Sequence, residues 1–312
     1  MIVYRELSSL TADLGIPAKT LYAVSNDLDR HYRTAAIPKG SGGTRQLAVP
    51  DPLLKHIQQR IYQVLLIHMP VSPYAAAYRP GGSTLRAAAP HVGKPLVLRL
   101  DIREFFGSVL YTSVKDAAFP ATIYAEPLRV LLTILCYYRD ALPQGAPTSP
   151  AISNLLLRSF DEDVAAWCAG QQIAYSRYCD DMTFSGDFAP DPVICFVREK
   201  LGALGLFLNE KKTRRMYAGQ RQSVTGLVVD QRCRVPAGYR RRLRQELYFC
   251  RRYGVSSHMQ HTGDTGTPRS CLRRLLGQTD YVLHVTPNDR EMQAYRTWLK
   301  TQLSMIDRAG RP

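Results

Sequence analysis

The sequence predicts an α+β fold, and three observations predict it. Short apolar runs alternate with period two and are joined by hairpin-like turns, which is the pattern of antiparallel strands. Segments of helical period stand between them in no regular βαβ order, and neither G-x-G-x-x-G nor a P-loop occurs. The tail from Pro236 is helical and strongly basic.

The elements follow in chain order. Residues 1–35 read as helical, and Leu10 to Tyr22 has the outline of a helix-turn-helix with Gly15 at its turn. Its second helix carries little positive charge, so a packing element is the better reading than a DNA-reading one. Ile37 to Asp51, with Gly-rich centre and Lys39 and Arg45 at its tip, reads as a hairpin. From Asp51, Leu53, Leu54, Ile57, Ile61, Val64 and Leu65 recur at helical spacing, ending near Met69-Pro70. Pro95 to Phe106 reads as a strand. Leu96, Leu98, Leu100 and Ile102 take one face, and Val97, Arg99 and Asp101 the other. Ser149 is a candidate N-cap, with Pro150 at the first helical position. One helix is expected from there to Gly170, with Ile152, Leu156, Phe160 and Val164 on its apolar face. A hairpin around Asp180 and Asp181 follows, then a helix near 192–204 and a strand over Ser223 to Asp230.

Composition narrows the function. The chain has 312 residues, 41 Lys and Arg, 26 Asp and Glu, and a formal charge of +15. Such an excess favours a polyanionic partner. Between Lys211 and Tyr253 thirteen basic residues face two acids, the footprint of a phosphate-binding surface. No apolar run reaches the roughly 18 residues of a membrane span. Met1 to Leu10 lacks the apolar core of a secretory leader. Seven scattered cysteines without C-x-x-C read as free thiols of a cytoplasmic protein with no membrane partner. His258 and His261 lack a further pair at ligand spacing and read as ordinary histidines.

Three carboxylates stand out. Asp101 ends one strand, and Asp180 and Asp181 sit at a hairpin tip. Adjacent aspartates can simply soften a turn. If the hairpin pairs beside the first strand, the acids converge and repel unless a cation joins them. Mg²⁺ suits such a site, because it binds through a few carboxylates plus substrate phosphates. An acidic pocket in a basic chain is what a nucleic-acid enzyme needs.

The motifs in their order carry a resemblance. Tyr178-Cys179-Asp180-Asp181 resembles the Y-x-D-D box of reverse transcriptases, and Leu100 to Val109 resembles their first catalytic motif. Leu142 to Leu155 is similar to the P-Q-G-x-x-x-S-P motif of the bacterial enzymes, Leu208 to Thr213 to their N-x-x-K-T, and Val224-Thr225-Gly226 to the V-T-G of retron enzymes. The resemblance covers roughly residues 37 to 230. One position departs: in the N-A-x-x-H motif of retron enzymes, Ala87 stands for Asn while Ala88 and His91 are kept.

The resemblance implies RNA-directed DNA polymerisation on a right-hand fold. The N-terminal helices and fingers would span 1–95, the palm with an interleaved fingers segment 96–235, and a basic helical thumb 236–312. Asp101, Asp180, Asp181 and the Ile102 carbonyl would ligate two Mg²⁺, and Lys212 would protonate the departing pyrophosphate or neutralise charge. Lys39, Arg45, Phe106, Gln144 and Gly145 would bind the dNTP, with Phe106 excluding a 2′-OH. His91, Thr225, Gly226, Arg240, Arg241, Arg244 and Arg251 would contact RNA. The implied partners are a structured noncoding RNA, its cDNA joined to it as branched RNA–DNA (msDNA), and an effector protein of anti-phage defence. Two alternatives stay open: another bacterial reverse transcriptase, intron-like or defence-associated, and a non-catalytic RNA-binding protein.

Overall fold

The computed structural model describes residues 3–38 and 42–309. It packs as two compact units. One joins the chain up to Ser83 with Pro95–Met216, and the other joins Thr84–Lys94 with the chain from Tyr217 onward.

The first unit opens with helices Leu7–Leu14 and Ala18–Ser25, which bury Leu10, Leu14, Leu21 and Val24. Gly15 ends the first with φ 68°, the left-handed conformation that glycine adopts without a Cβ penalty. Both helices put their leucines into the core, as expected of a packing element. The predicted helical stretch ends sooner than expected, because strand β1 (Tyr32–Pro38) already pairs antiparallel with β2 (Thr44–Pro50). Asp51 then caps helix Pro52–Val64, its carboxylate accepting from Leu54 N–H at 2.8 Å. Leu54, Ile57 and Ile61 form its buried stripe.

The central sheet has strands β3 (Leu96–Asp101), β4 (Ala174–Tyr178), β5 (Asp181–Gly186) and β6 (Arg214–Tyr217), in the order β4-β5-β3-β6. β3 and β5 run antiparallel with Leu98 opposite Phe184 and Leu100 opposite Met182, so one face of the pair is apolar throughout. That face packs into the core with Phe119, Leu132 and Ile152.

Two expectations change here. The long helix after Pro150 is two helices, Ser149–Leu156 and Arg158–Ala169, separated at Leu157 (φ −88°, ψ 7°). Ser149 is not the N-cap either. Its hydroxyl donates to the Pro143 carbonyl at 2.8 Å, and the helix starts from Thr148 without a side-chain cap.

The second unit carries helices Ala237–Tyr253, Val255–Thr262, Pro268–Val285 and Arg290–Ala309. The predicted single strand Ser223–Asp230 is instead a tight hairpin of β7 (Ser223–Val224) and β8 (Leu227–Val228). No helix among the described residues is long and apolar enough to cross a membrane.

Candidate active site

Register brings the acids together. Asp101 is the last residue of β3 and stands directly opposite Asp181, the first of β5. Directly opposed residues put their side chains on one face of a sheet. Asp181 also pairs with Tyr178, which leaves Cys179 and Asp180 as a two-residue turn. Cys179 has φ 59°, a conformation that tight hairpins usually fill with Gly, Asn or Asp. The turn is tied to the neighbouring strand, since Ile102 N–H donates to the Asp180 carbonyl at 3.1 Å.

Lys212 completes the group from a short 3-10 turn, Glu210–Lys212. Asn209 N–H donates to the Asp101 carbonyl at 2.7 Å and fixes where that turn begins. Lys212 Nζ lies 2.9 Å from both Asp101 carboxylate oxygens. Only the bond to Oδ2 has hydrogen-bond geometry, so Oδ1 is buried with the charge contact alone. On the same face Arg99 donates to Asp181 Oδ2 at 3.1 Å.

Burial pushes the Asp180 carboxyl up, and the nearby charges of Asp101 and Asp181 push the same way. Among the described residues no three His, Cys, Asp or Glu side chains are gathered into a ready metal cage. Asp101 is held by Lys212 and Asp181 by Arg99. The donor chemistry nevertheless fits a hard divalent ion: oxygen donors only, one buried carboxylate oxygen without a hydrogen bond, and mutual repulsion at Asp180.

Beside the acids, Phe105 is buried and Phe106 is half-buried, their rings stacked with centroids 5.6 Å apart. Gln144 is exposed. Gly145 lies against β2 so closely that a Cβ would stand 2.4 Å from the Ala48 carbonyl oxygen. Backbone cannot yield as a side-chain tip can. Gly145→Ala is expected to cost about 1–3 kcal/mol of stability, read as a lower urea midpoint. An unchanged midpoint contradicts the close packing. Lys39 and the side chain of Arg45 lie outside the described residues.

The predicted RNA-contacting residues all fall in the second unit, and they divide. Thr225 (φ 48°) and Gly226 (φ 84°) are the two central residues of the β7–β8 hairpin, both left-handed as a type I′ turn requires. Thr225 Oγ1 donates to the Thr84 carbonyl at 3.0 Å, and Gly226 is exposed. Arg241, Arg244 and Arg251 are exposed on helix Ala237–Tyr253, away from the buried Leu243, Leu247 and Cys250. Two residues depart from expectation. His91 is fully buried, and burial lowers its pKa to about 3, so it packs the interior as a neutral ring and does not face a strand of RNA. Arg240 is committed to Asp289 (2.8 and 3.1 Å) and Glu291 (2.9 Å), so its charge is already neutralised. His258 is a buried ring stacked on Phe249.

Arg99 and Arg177 also belong to the site's surroundings, and none of the sequence motifs singles them out. Arg177 is fully buried in β4 and reaches the carbonyl of Cys179. Its parity with Tyr175, a buried residue two positions earlier, was the available signal.

Comparison with known proteins agrees with this geometry. Residues 37–229 match the family described as reverse transcriptase (RNA-dependent DNA polymerase). The chain is 34% identical over 319 residues to the retron Mx65 reverse transcriptase of Myxococcus xanthus, covering 94% of this chain and 71% of that protein. It is 29% identical to the retron Mx162 reverse transcriptase of the same organism, over 96% and 68% of the two chains. It is 28% identical to the retron Ec86 reverse transcriptase of Escherichia coli, over 83% and 82%.

Proposed function

Because this chain belongs to the reverse transcriptases of retron type, RNA-directed DNA polymerases, we propose that it copies a structured noncoding RNA into DNA, primed from a 2′-OH of that RNA. The product is then a branched RNA–DNA molecule, made within an anti-phage defence system alongside an effector protein. The observation that carries the polymerase reading is the direct register of Asp101 with Asp181, with Asp180 in the adjoining turn and Lys212 on Asp101.

Reverse transcriptases use divalent metal ions. In this chain Asp101, Asp180, Asp181 and the Ile102 carbonyl would hold two Mg²⁺. Bound there, such ions would supply activation of the attacking hydroxyl and stabilisation of the leaving oxygen in an in-line phosphoryl transfer. The protein's own residues do the rest. Lys212, anchored at Asp101, has its ammonium at the reacting centre, where it neutralises or protonates the departing pyrophosphate. Gln144 and Gly145 border the incoming dNTP, and Lys39 and Arg45 hold its triphosphate.

Phe106 sits below the sugar and leaves no room for a 2′-OH. Phe106→Ala is expected to reduce the preference for dNTPs over rNTPs by at least roughly ten-fold, compared through kcat/KM for each. Unchanged discrimination removes Phe106 from that role. Arg241, Arg244 and Arg251 offer free charge to the phosphate backbone, with Thr225 and Gly226 presenting the β7–β8 turn to RNA.

Incubating the protein with its noncoding RNA, dNTPs and Mg²⁺ tests the reading. The RNA should gain covalently attached DNA at an internal 2′-OH. Extension only from an added primer 3′ end contradicts self-priming, and no extension at all contradicts polymerisation.

A further inference from the structure

We propose that Arg177 is the positioning residue of the catalytic turn, clamping the Cys179 carbonyl so that Asp180 and Asp181 are held in one place. This rests on the polymerase reading above.

The side chain is 0% exposed, and four hydrogen bonds account for it. Nε donates to Asp161 Oδ1 at 2.8 Å and one terminal nitrogen to Asp161 Oδ2 at 2.6 Å. The other terminal nitrogen donates to Asn154 Oδ1 at 3.2 Å and to the Cys179 carbonyl at 2.9 Å. Asp161 is itself buried and accepts from the Tyr175 hydroxyl at 2.7 Å, so the carboxylate is satisfied without that second nitrogen. The second nitrogen is thus left over from charge pairing and is committed to the turn.

Its two partners come from different parts of the unit. Asn154 belongs to the Ser149–Leu156 helix and donates in turn to the Ala77 carbonyl at 2.8 Å. The Arg177 backbone is pinned from the same direction. Its N–H donates to the Tyr74 carbonyl at 2.9 Å, and its carbonyl accepts from Ala76 N–H at 2.8 Å. The donor therefore sits on a fixed frame.

What it holds is a strained residue. Cys179 has φ 59° without being glycine. The next carbonyl, that of Asp180, is held from the opposite side by Ile102 N–H. Two successive carbonyls of the turn are thus gripped, one by Ile102, the residue after β3, and one by Arg177. Releasing one grip lets Cys179 relax and moves the carboxylates that follow it.

Arg177→Lys separates this role from charge pairing, since an ammonium has no planar fork to serve Asp161 and Cys179 together. Primer extension on an RNA template should show kcat lower by roughly 10–100-fold, the scale of a displacement near 1 Å, with KM for dNTP within about two-fold. Mn²⁺ affinity without nucleotide, followed by the EPR signal of free Mn²⁺, should weaken by about ten-fold or more. Adding Cys179→Gly should restore part of both, because glycine takes positive φ freely. Unchanged kcat and Mn²⁺ affinity in folded Arg177→Lys overturns the proposal, and so does a loss that Cys179→Gly leaves untouched. If Arg177→Lys does not fold, Asn154→Ala carries the test. It removes an acceptor that aims the same nitrogen, so kcat should fall by several-fold at constant KM, and an unchanged kcat overturns the proposal. Wild-type protein that extends no primer would instead refute the polymerase reading itself.

Discussion

Replacing Asp180 and Asp181 together by asparagine should abolish dNTP incorporation while leaving RNA binding in place. Asp181 is in register with Asp101, and Asp180 occupies the turn between β4 and β5. Asparagine keeps the shape of both side chains and removes their charge. Losing a single group that stabilises developing charge already costs on the order of 10²–10³ in rate, so losing both acids should cost at least that. The fold should not suffer. Burial and neighbouring acids already disfavour the Asp180 charge, so neutralising it relieves repulsion. Arg99 loses its partner at Asp181 but keeps access to water, its side chain being 28% exposed. The exposed arginines of helix Ala237–Tyr253 lie in the other unit and are unaffected. Primer extension, RNA gel shift and a thermal melt on one preparation check this. Retained synthesis contradicts the role given to the two acids.

Asp161→Ala should destabilise the first unit strongly. Asp161 and Arg177 are both 0% exposed, and among the described residues each makes its ion pair with the other, through a bidentate contact. Desolvating an ion is costly, and removing one partner leaves the other buried and uncompensated, at about 3–5 kcal/mol. The Tyr175 hydroxyl loses its acceptor by the same change. The surface pair Arg158–Glu162 offers the control, because its groups are about half exposed and such pairs contribute roughly 0–1 kcal/mol. Urea unfolding of Asp161→Ala and Glu162→Ala compares them. Equal midpoints contradict the account.

How much of this was legible in the sequence depended on the distance over which each cause acts. The strand at Leu96–Asp101 could be read because apolar alternation is local, and that alternation put Asp101 on the face it occupies. The apposition of Asp101 and Asp181 required strand pairing, which two separate segments only suggest. The break at Leu157 was hidden because helical period continues across it, from Ile152 to Phe160 and Val164. The β7–β8 turn was hidden because Thr225 is an unusual residue for positive φ. The arginines were the least legible. Arg240 reads as a phosphate ligand until Asp289 and Glu291, about fifty positions on, are placed beside it. Arg177 reads as one more base in a basic chain until Asp161 is buried against it. Charge on the page does not say whether its partner is water, phosphate or another side chain.

The measurement that bears most directly on the proposed function is the identity of the nucleic acid that copurifies with the protein expressed alongside its own noncoding RNA. The account predicts a branched molecule in which DNA is joined to RNA through a 2′–5′ bond, so that ribonuclease leaves DNA with a short RNA remnant at its 5′ end. Linear cDNA without that remnant, or RNA alone, would contradict it.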